Sequence, residues 1–241
     1  MGPQLIFDKS TLQMLNLDEA MWLDYFFTCN ITPLFFVEIL AGLEKQVGSG
    51  RTPEQVVGSL ASKTPDLNPR VNAHHEFLLS VELSGRETIP TDGKAISVGA
   101  QAVALRGNQG LVIREPPEEQ AFIRWRRHEF LDLERQIAKA WRKSLLAANH
   151  DETCKFFRKW FARGKPHSLA DVKALADANI DTKDQEGSLR FGMALLGVVE
   201  SAQGPVLDRW RRTGRPPVHD FAPYFRHVFS VDLFYYLSAR T

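Results

Sequence analysis

Cysteine is scarce in this chain: Cys29 and Cys154 are the only two in 241 residues, and they stand in no paired spacing. Without a CxxC pair, neither a zinc knuckle nor a disulfide framework can organise the fold, and both thiols are expected to be reduced and buried. Long apolar runs are missing as well. Stretches such as Leu34 to Val37 fall far short of the roughly 20 residues a membrane helix needs. A basic segment followed by an apolar core and a small-residue cleavage site is also lacking at the N-terminus, so a cytoplasmic, non-membrane protein is expected. No internal repeat or low-complexity segment is found. No Ser–His–Asp or Cys–His arrangement has the local context for covalent catalysis. The glycines of Arg106-Gly107-Asn108-Gln109-Gly110 lack the strand–GxGxxG–helix setting of a phosphate loop. His74 and His75 are adjacent, so on a helix they point about 100° apart and form no shared metal-binding face.

What is present is an ordinary globular composition, 44% hydrophobic and 24% charged, with charge unevenly placed. Residues 1–50 carry Lys9 and Lys45 against six acids (Asp8, Asp18, Glu19, Asp24, Glu38 and Glu44), a balance of −4. Residues 122–167 carry twelve Lys or Arg and five acids, a balance of +7. An acidic site beside a basic surface suits a metal-dependent enzyme acting on a polyanion.

The acidic end is the most informative. The run Leu5-Ile6-Phe7 stops at Asp8, and a second run, Asn30-Ile31-Thr32, stops at Pro33 before a helix carrying Glu38. Strands of a parallel sheet are buried on both faces and read as continuous apolar runs, and acids at their C-terminal ends line the crevice where ligands bind. Between the strands, Ser10 is a fair cap for a short helix, and Asp18 for a second one. In that second helix Met21, Trp22, Tyr25 and Phe26 recur at helical spacing, a face expected to pack on the sheet. The helix from Leu34 to Lys45 is apolar on nearly every side except at Glu38, Glu44 and Lys45. Burying Glu38 there requires a partner such as a metal, a cation or a cleft.

The motif FDxS at a strand end, followed by a helix, an Ile-Thr-Pro strand end and a helix with a Glu-Ile-Leu core, resembles the PIN domain. The resemblance covers roughly the first 45 residues. It implies an α/β fold with a small Rossmann-like parallel sheet, here spanning about 1–47, within a single domain over 1–241 that also holds a large helical part. It also implies a nuclease that binds Mg²⁺ or Mn²⁺ through acids, with Asp8 and Glu38 in the corresponding places. The late acids of that family have no clear counterpart; Asp232, early in the final apolar helix, is the nearest candidate for a third ligand. A chain that is a fragment of a longer protein is expected on that account.

From Pro117 onward helical patterns dominate. One long helix is expected over Glu118 to Asn149, then helices over Glu152–Arg163, Ser168–Ile180 and about Asp184–Ala202, a short one at Leu207–Arg212, and a last one from Phe221. Between the two parts, 85–113 reads as loop or a small β-hairpin, and Thr52-Pro53-Glu54 starts a helix through Ala61. Four clusters interleave aromatic and basic side chains, at 124–127, 141–143, 157–160 and 209–212. Each tryptophan also sits where its helix needs an apolar anchor. Cations on phosphates with aromatic stacking on bases is how single-stranded nucleic acid is held. Candidate contacts are Arg124, Arg126, Arg127, Arg142, Lys143, Arg158, Lys159 and Arg211. The expected function is therefore a metal-dependent endonuclease acting on RNA or single-stranded DNA, catalysed by Asp8, Glu38 and Asp232. The alternative is a catalytically incomplete module that binds nucleic acid or a protein partner, including a second copy of itself.

Overall fold

A computed structural model describes residues 3–6, 8–47, 50–64, 71–96, 100–105, 108–113, 117–147, 150–160 and 168–238. The elements begin with β1 (Gln4–Ile6), α1 (Lys9–Met14), α2 (Leu17–Phe26), β2 (Thr28–Asn30), α3 (Pro33–Val47), α4 (Pro53–Ala61) and α5 (His75–Leu83). A hairpin follows, β3 (Ala100–Leu105) and β4 (Asn108–Ile113), and then α6 (Pro117–Arg126), α7 (Asp132–Ala147) and α8 (His150–Trp160). The chain continues with α9 (Leu169–Ile180), α10 (Gln185–Leu195), α11 (Glu200–Arg212), α12 (Val218–Phe221) and α13 (Pro223–Ser238). It folds as two compact units, one made of 1–74 and 95–148, the other of 75–94 and 149–241.

This overturns the expected α/β class. Most of the described residues are helical, and among them the parallel sheet is the pair β1–β2, so this is a mostly helical protein rather than a PIN-like Rossmann fold. The reason lies in strand length. Each parallel strand has three residues, paired Gln4 with Thr28, Leu5 with Cys29 and Ile6 with Asn30, and Ile31 adds one isolated parallel bridge to Val71. The buried apolar residues of α3 and α13, such as Phe35, Ile39 and Leu43 or Phe225, Phe229 and Leu233, recur at intervals of three and four, which buries a face only in a helix.

In the first unit α3 is the central element. Phe35, Phe36, Ile39, Leu40 and Leu43 are buried against Phe122 and Trp125 of α6 and Ala138 of α7, with the Phe36 and Phe122 rings 4.6 Å apart. Pro33 opens α3, where its missing N–H is harmless. Thr52 and Gln55 form a capping box at the start of α4. The long helix expected over 118–149 is broken between α6 and α7, where His128 takes a left-handed backbone (φ 60°). The turn leaves Glu134 buried, and it accepts from Arg124 Nη2 (2.6 Å), Trp125 Nε1 (3.1 Å) and the Leu131 N–H (2.9 Å). Cys29 is buried here and Cys154 in the second unit, and neither is in a disulfide.

In the second unit α13 is the axis. Phe225, Phe229, Leu233 and Leu237 repeat every four residues and are buried against Val172, Ala176 and Ile180 of α9 and Leu189 and Met193 of α10. Each such side chain contributes on the order of 1.5–3 kcal/mol by leaving water. Gly192 lets α10 approach, since a Cβ there would lie 2.6 Å from Phe225 Cζ and 2.8 Å from Phe229 Cδ1. The helix expected to end before Gly204-Pro205 instead stops at Leu195. A new one, α11, runs through Pro205 and absorbs the short helix expected at Leu207–Arg212. Burial of Val206, Leu207 and Trp210 holds it across the proline.

Candidate functional site

The first unit brings Asp8 and Glu38 to one place, the N-terminus of α1. Asp8 leaves β1 two residues after Ile6 and caps the helix: the Thr11 N–H and hydroxyl both donate to its Oδ1, at 2.7 and 2.8 Å. Those two bonds hold the exposed carboxyl below the ordinary aspartate value, so it is ionised at neutral pH. Glu38 reaches the same turn from α3. Its Oε2 accepts from the Lys9 N–H at 3.4 Å, and Lys9 Nζ donates to its carbonyl at 3.2 Å. Burial lowers the Lys9 pKa, and the Glu38 charge partly restores it. The partner that a half-buried Glu38 requires is therefore supplied by the first residue of α1. The Ser10 N–H and the N–H of Asp8 itself add smaller contributions at the Asp8 carboxyl, while Glu38 Oε1 takes no hydrogen bond among the described residues.

The third expected acid is elsewhere. Asp232 lies on α13 in the second unit, where burial raises its pKa and nearby His75 partly offsets the rise. His74 ends the first unit and pairs with Glu118 at 2.8 Å. Among the described residues no group of three or more His, Cys, Asp or Glu gathers to hold a metal ion.

The basic clusters divide into structural and open members. Trp125 (1% exposed) and Trp210 (3% exposed) are core residues. Arg124 is held by Glu134, Arg126 donates to the Ala61 and Thr64 carbonyls, and Arg211 pairs with Glu186 (2.6 Å) and Asp208 (3.2 Å). Arg127 and Lys143 are exposed, with no ion pair among the described residues, and Arg142 is half-buried. Lys159 is exposed on α8, and the Arg158 side chain lies outside what is described. Lys143 and Arg142 ride on α7, which packs along α3, the helix that carries Glu38.

The face of α2 reverses its expected role. Met21, Trp22, Tyr25 and Phe26 are 57–79% exposed, with Trp22 stacked on Phe26 at 5.9 Å and Tyr25 edge-on to Phe26 at 5.3 Å. Met14 and Leu17 are exposed as well. Helical spacing identifies an apolar face but not what covers it. Lys9 and Glu134 carry no local sequence signal for their partners, and Glu82, not among the expected site residues, is an acid among the buried positions Leu78, Leu79, Val81 and Leu83. The signal for Glu82 was the one used for Glu38, a lone acid inside an apolar helix.

No helix among the described residues is long and apolar enough to cross a membrane. Comparisons with protein-family profiles, with curated proteins and with solved structures return no match for the chain.

Proposed function

We propose that the first unit hydrolyses phosphodiester bonds of RNA or single-stranded DNA with one divalent cation held by Asp8 and Glu38. The observation that carries this reading is the meeting of both carboxylates at the first turn of α1. Mg²⁺ and Mn²⁺ favour carboxylate oxygens, and Mg²⁺ is commonly bound through one or two carboxylates plus substrate phosphates, keeping several waters. Two carboxylates at one helix turn, one exposed and one half-buried, fit that demand. The bound cation would lower the pKa of a water and polarise the phosphate. The chain itself keeps Asp8 ionised through Thr11, orients Glu38 through Lys9, and offers Arg127 and Lys143 to substrate phosphates, a contact weakened by salt.

The test is cleavage of labelled single-stranded RNA and DNA in Mn²⁺ and Mg²⁺, with Mn²⁺ binding followed separately by electron paramagnetic resonance. Asp8→Asn and Glu38→Gln should each weaken Mn²⁺ binding at least about 10-fold and suppress cleavage. Asn is itself a good helix cap, so Asp8→Asn keeps α1. Cleavage that both substitutions leave intact would overturn the assignment.

A second reading, protein docking, is favoured by the exposed α2 face. Within 11–27 the charged residues are Asp18, Glu19 and Asp24. Lys63 and Arg126 border the face beside Met21 and Tyr25, and the exposed aromatic surface suits a protein segment with apolar anchors and a basic rim. In NMR titrations a helical Leu/Lys peptide should shift resonances over 17–26, and a Leu/Glu peptide of equal length should not. Equal shifts would remove the charge argument for this reading.

A further inference from the structure

The second unit holds a cavity of about 550 Å³, within the size range of small-molecule sites. Leu79 and Leu83 of α5 form one wall, and Val199, Ala202 and Val206 form the other, so its middle is apolar. Its charged lining residues are unevenly placed. Arg209 and Arg212 come from the last turn of α11, and Glu76 from the first turn of α5. Gly85, just past α5, lies against Arg209, since a Cβ there would fall 2.2 Å from Arg209 Nη1. The guanidinium therefore meets the C-terminal end of α5. Glu76 lies seven residues upstream of Leu83, about 10 Å away along the helix at 1.5 Å per residue.

Arg209 has unused donor capacity. Its guanidinium stacks 4.1 Å from the Phe221 ring centroid, and Nη2 donates to the Phe221 carbonyl at 3.4 Å. Its Nε is buried with no hydrogen-bond partner among the described residues. The acid closest in charge is Glu82, whose oxygens already accept from the Ile89, Tyr224 and Phe225 N–H groups. The Arg209 guanidinium lines the cavity with no ion pair among the described residues, and a carboxylate is the acceptor that fits its fork geometry. Arg212 adds a second positive charge at that end, while Glu76 disfavours an anion at the other.

We propose that this cavity binds a singly charged carboxylate with an apolar body. The head group sits at Arg209 and Arg212, and the body lies between α5 and α11. The test uses the full chain and three ligands of one chain length, decanoate, decanol and decanedioate, by isothermal titration calorimetry. Decanoate should bind saturably, with decanol and decanedioate each roughly 10-fold weaker or more. Arg212→Gln, an exposed change, should weaken decanoate about as much, and Ala202→Phe should abolish binding by filling the cavity. Absent decanoate binding, equal affinity for all three ligands, or decanoate binding unchanged by Arg212→Gln would overturn the proposal, as would a folded Ala202→Phe variant that binds normally. Should Ala202→Phe fail to fold, the ligand series and Arg212→Gln decide the matter alone.

Discussion

Glu82 offers a direct test of how the second unit is held together. Its side chain is buried on α5, and its two oxygens accept from Tyr224 N–H at 3.0 Å and Phe225 N–H at 2.8 Å. Those groups belong to the first turn of α13, where backbone donors have no partner within the helix. A glutamate more than 140 positions earlier in the chain thus serves as that helix's cap. Glu82→Ala leaves both donors unmet next to the fully buried Phe225. At about 1–3 kcal/mol per orphaned donor the loss is roughly 2–6 kcal/mol. Glu82→Gln keeps one carbonyl oxygen and turns an amide N–H₂ toward the other donor, so it should cost about half as much. Burial raises the Glu82 pKa above the ordinary 4.5 despite the three N–H bonds that favour its charged form. A raised folded-state pKa means a stabilising contribution that is complete below the unfolded value and lost as pH climbs through the folded one. The stability difference between parent and Glu82→Gln should therefore shrink as pH rises from about 4 toward neutrality. Urea unfolding followed by circular dichroism measures the loss, and hydrogen exchange at Tyr224 and Phe225 assigns it to α13. If Glu82→Ala lies within about 0.5 kcal/mol of the parent with undiminished protection at those amides, the capping role is wrong.

Two further outcomes follow from the geometry. Gly192→Ala places a methyl group against the Phe225 and Phe229 rings, neither of which is exposed. Overpacking should outweigh the gain in helix propensity and destabilise by roughly 1–3 kcal/mol, and a raised melting temperature would contradict that packing. At Asp8 the pKa is depressed by Thr11, so its capping contribution holds above the ordinary value of 3.8 and is lost as pH falls through the folded one. An acid titration should shift the Thr11 amide resonance in the parent and not in Asp8→Asn; a Thr11 resonance that stays still from pH 5 to pH 2 would refute the cap.

The first 47 residues were the most legible in sequence. The order strand, two helices, strand, buried helix is written in short apolar runs and in Pro33, and the structure keeps that order, with β2 at Thr28–Asn30, two residues before the expected Asn30–Thr32 run. The extent of the sheet was not legible, because a three-residue apolar run does not say how many others will pair with it. The position of the caps slipped for a related reason. Ser10 and Asp18 are good capping residues, but Asp8 and Asn16, equally good, sit where the backbone turns. The α6–α7 break hides in an unremarkable Arg-His-Glu run, since a left-handed His128 is a tertiary outcome with no glycine to announce it. Of the candidate acids, Asp8 and Glu38 are neighbours because local order puts them there. For Asp232, almost 200 residues downstream of Glu38, the sequence offered no local order to use.

The split composition of the second unit has a consequence for biosynthesis. Its α5 is made early, between two segments of the first unit, but its capping and packing partner α13 comes last. At ribosomal speeds of about 5–20 residues per second, roughly 7–30 s pass between synthesis of Glu82 and of Phe225. For that interval Leu79 and Leu83 lack the α13 residues they pack with. A nascent chain halted before residue 223 should therefore present α5 to chaperones, and one released beyond residue 238 should not.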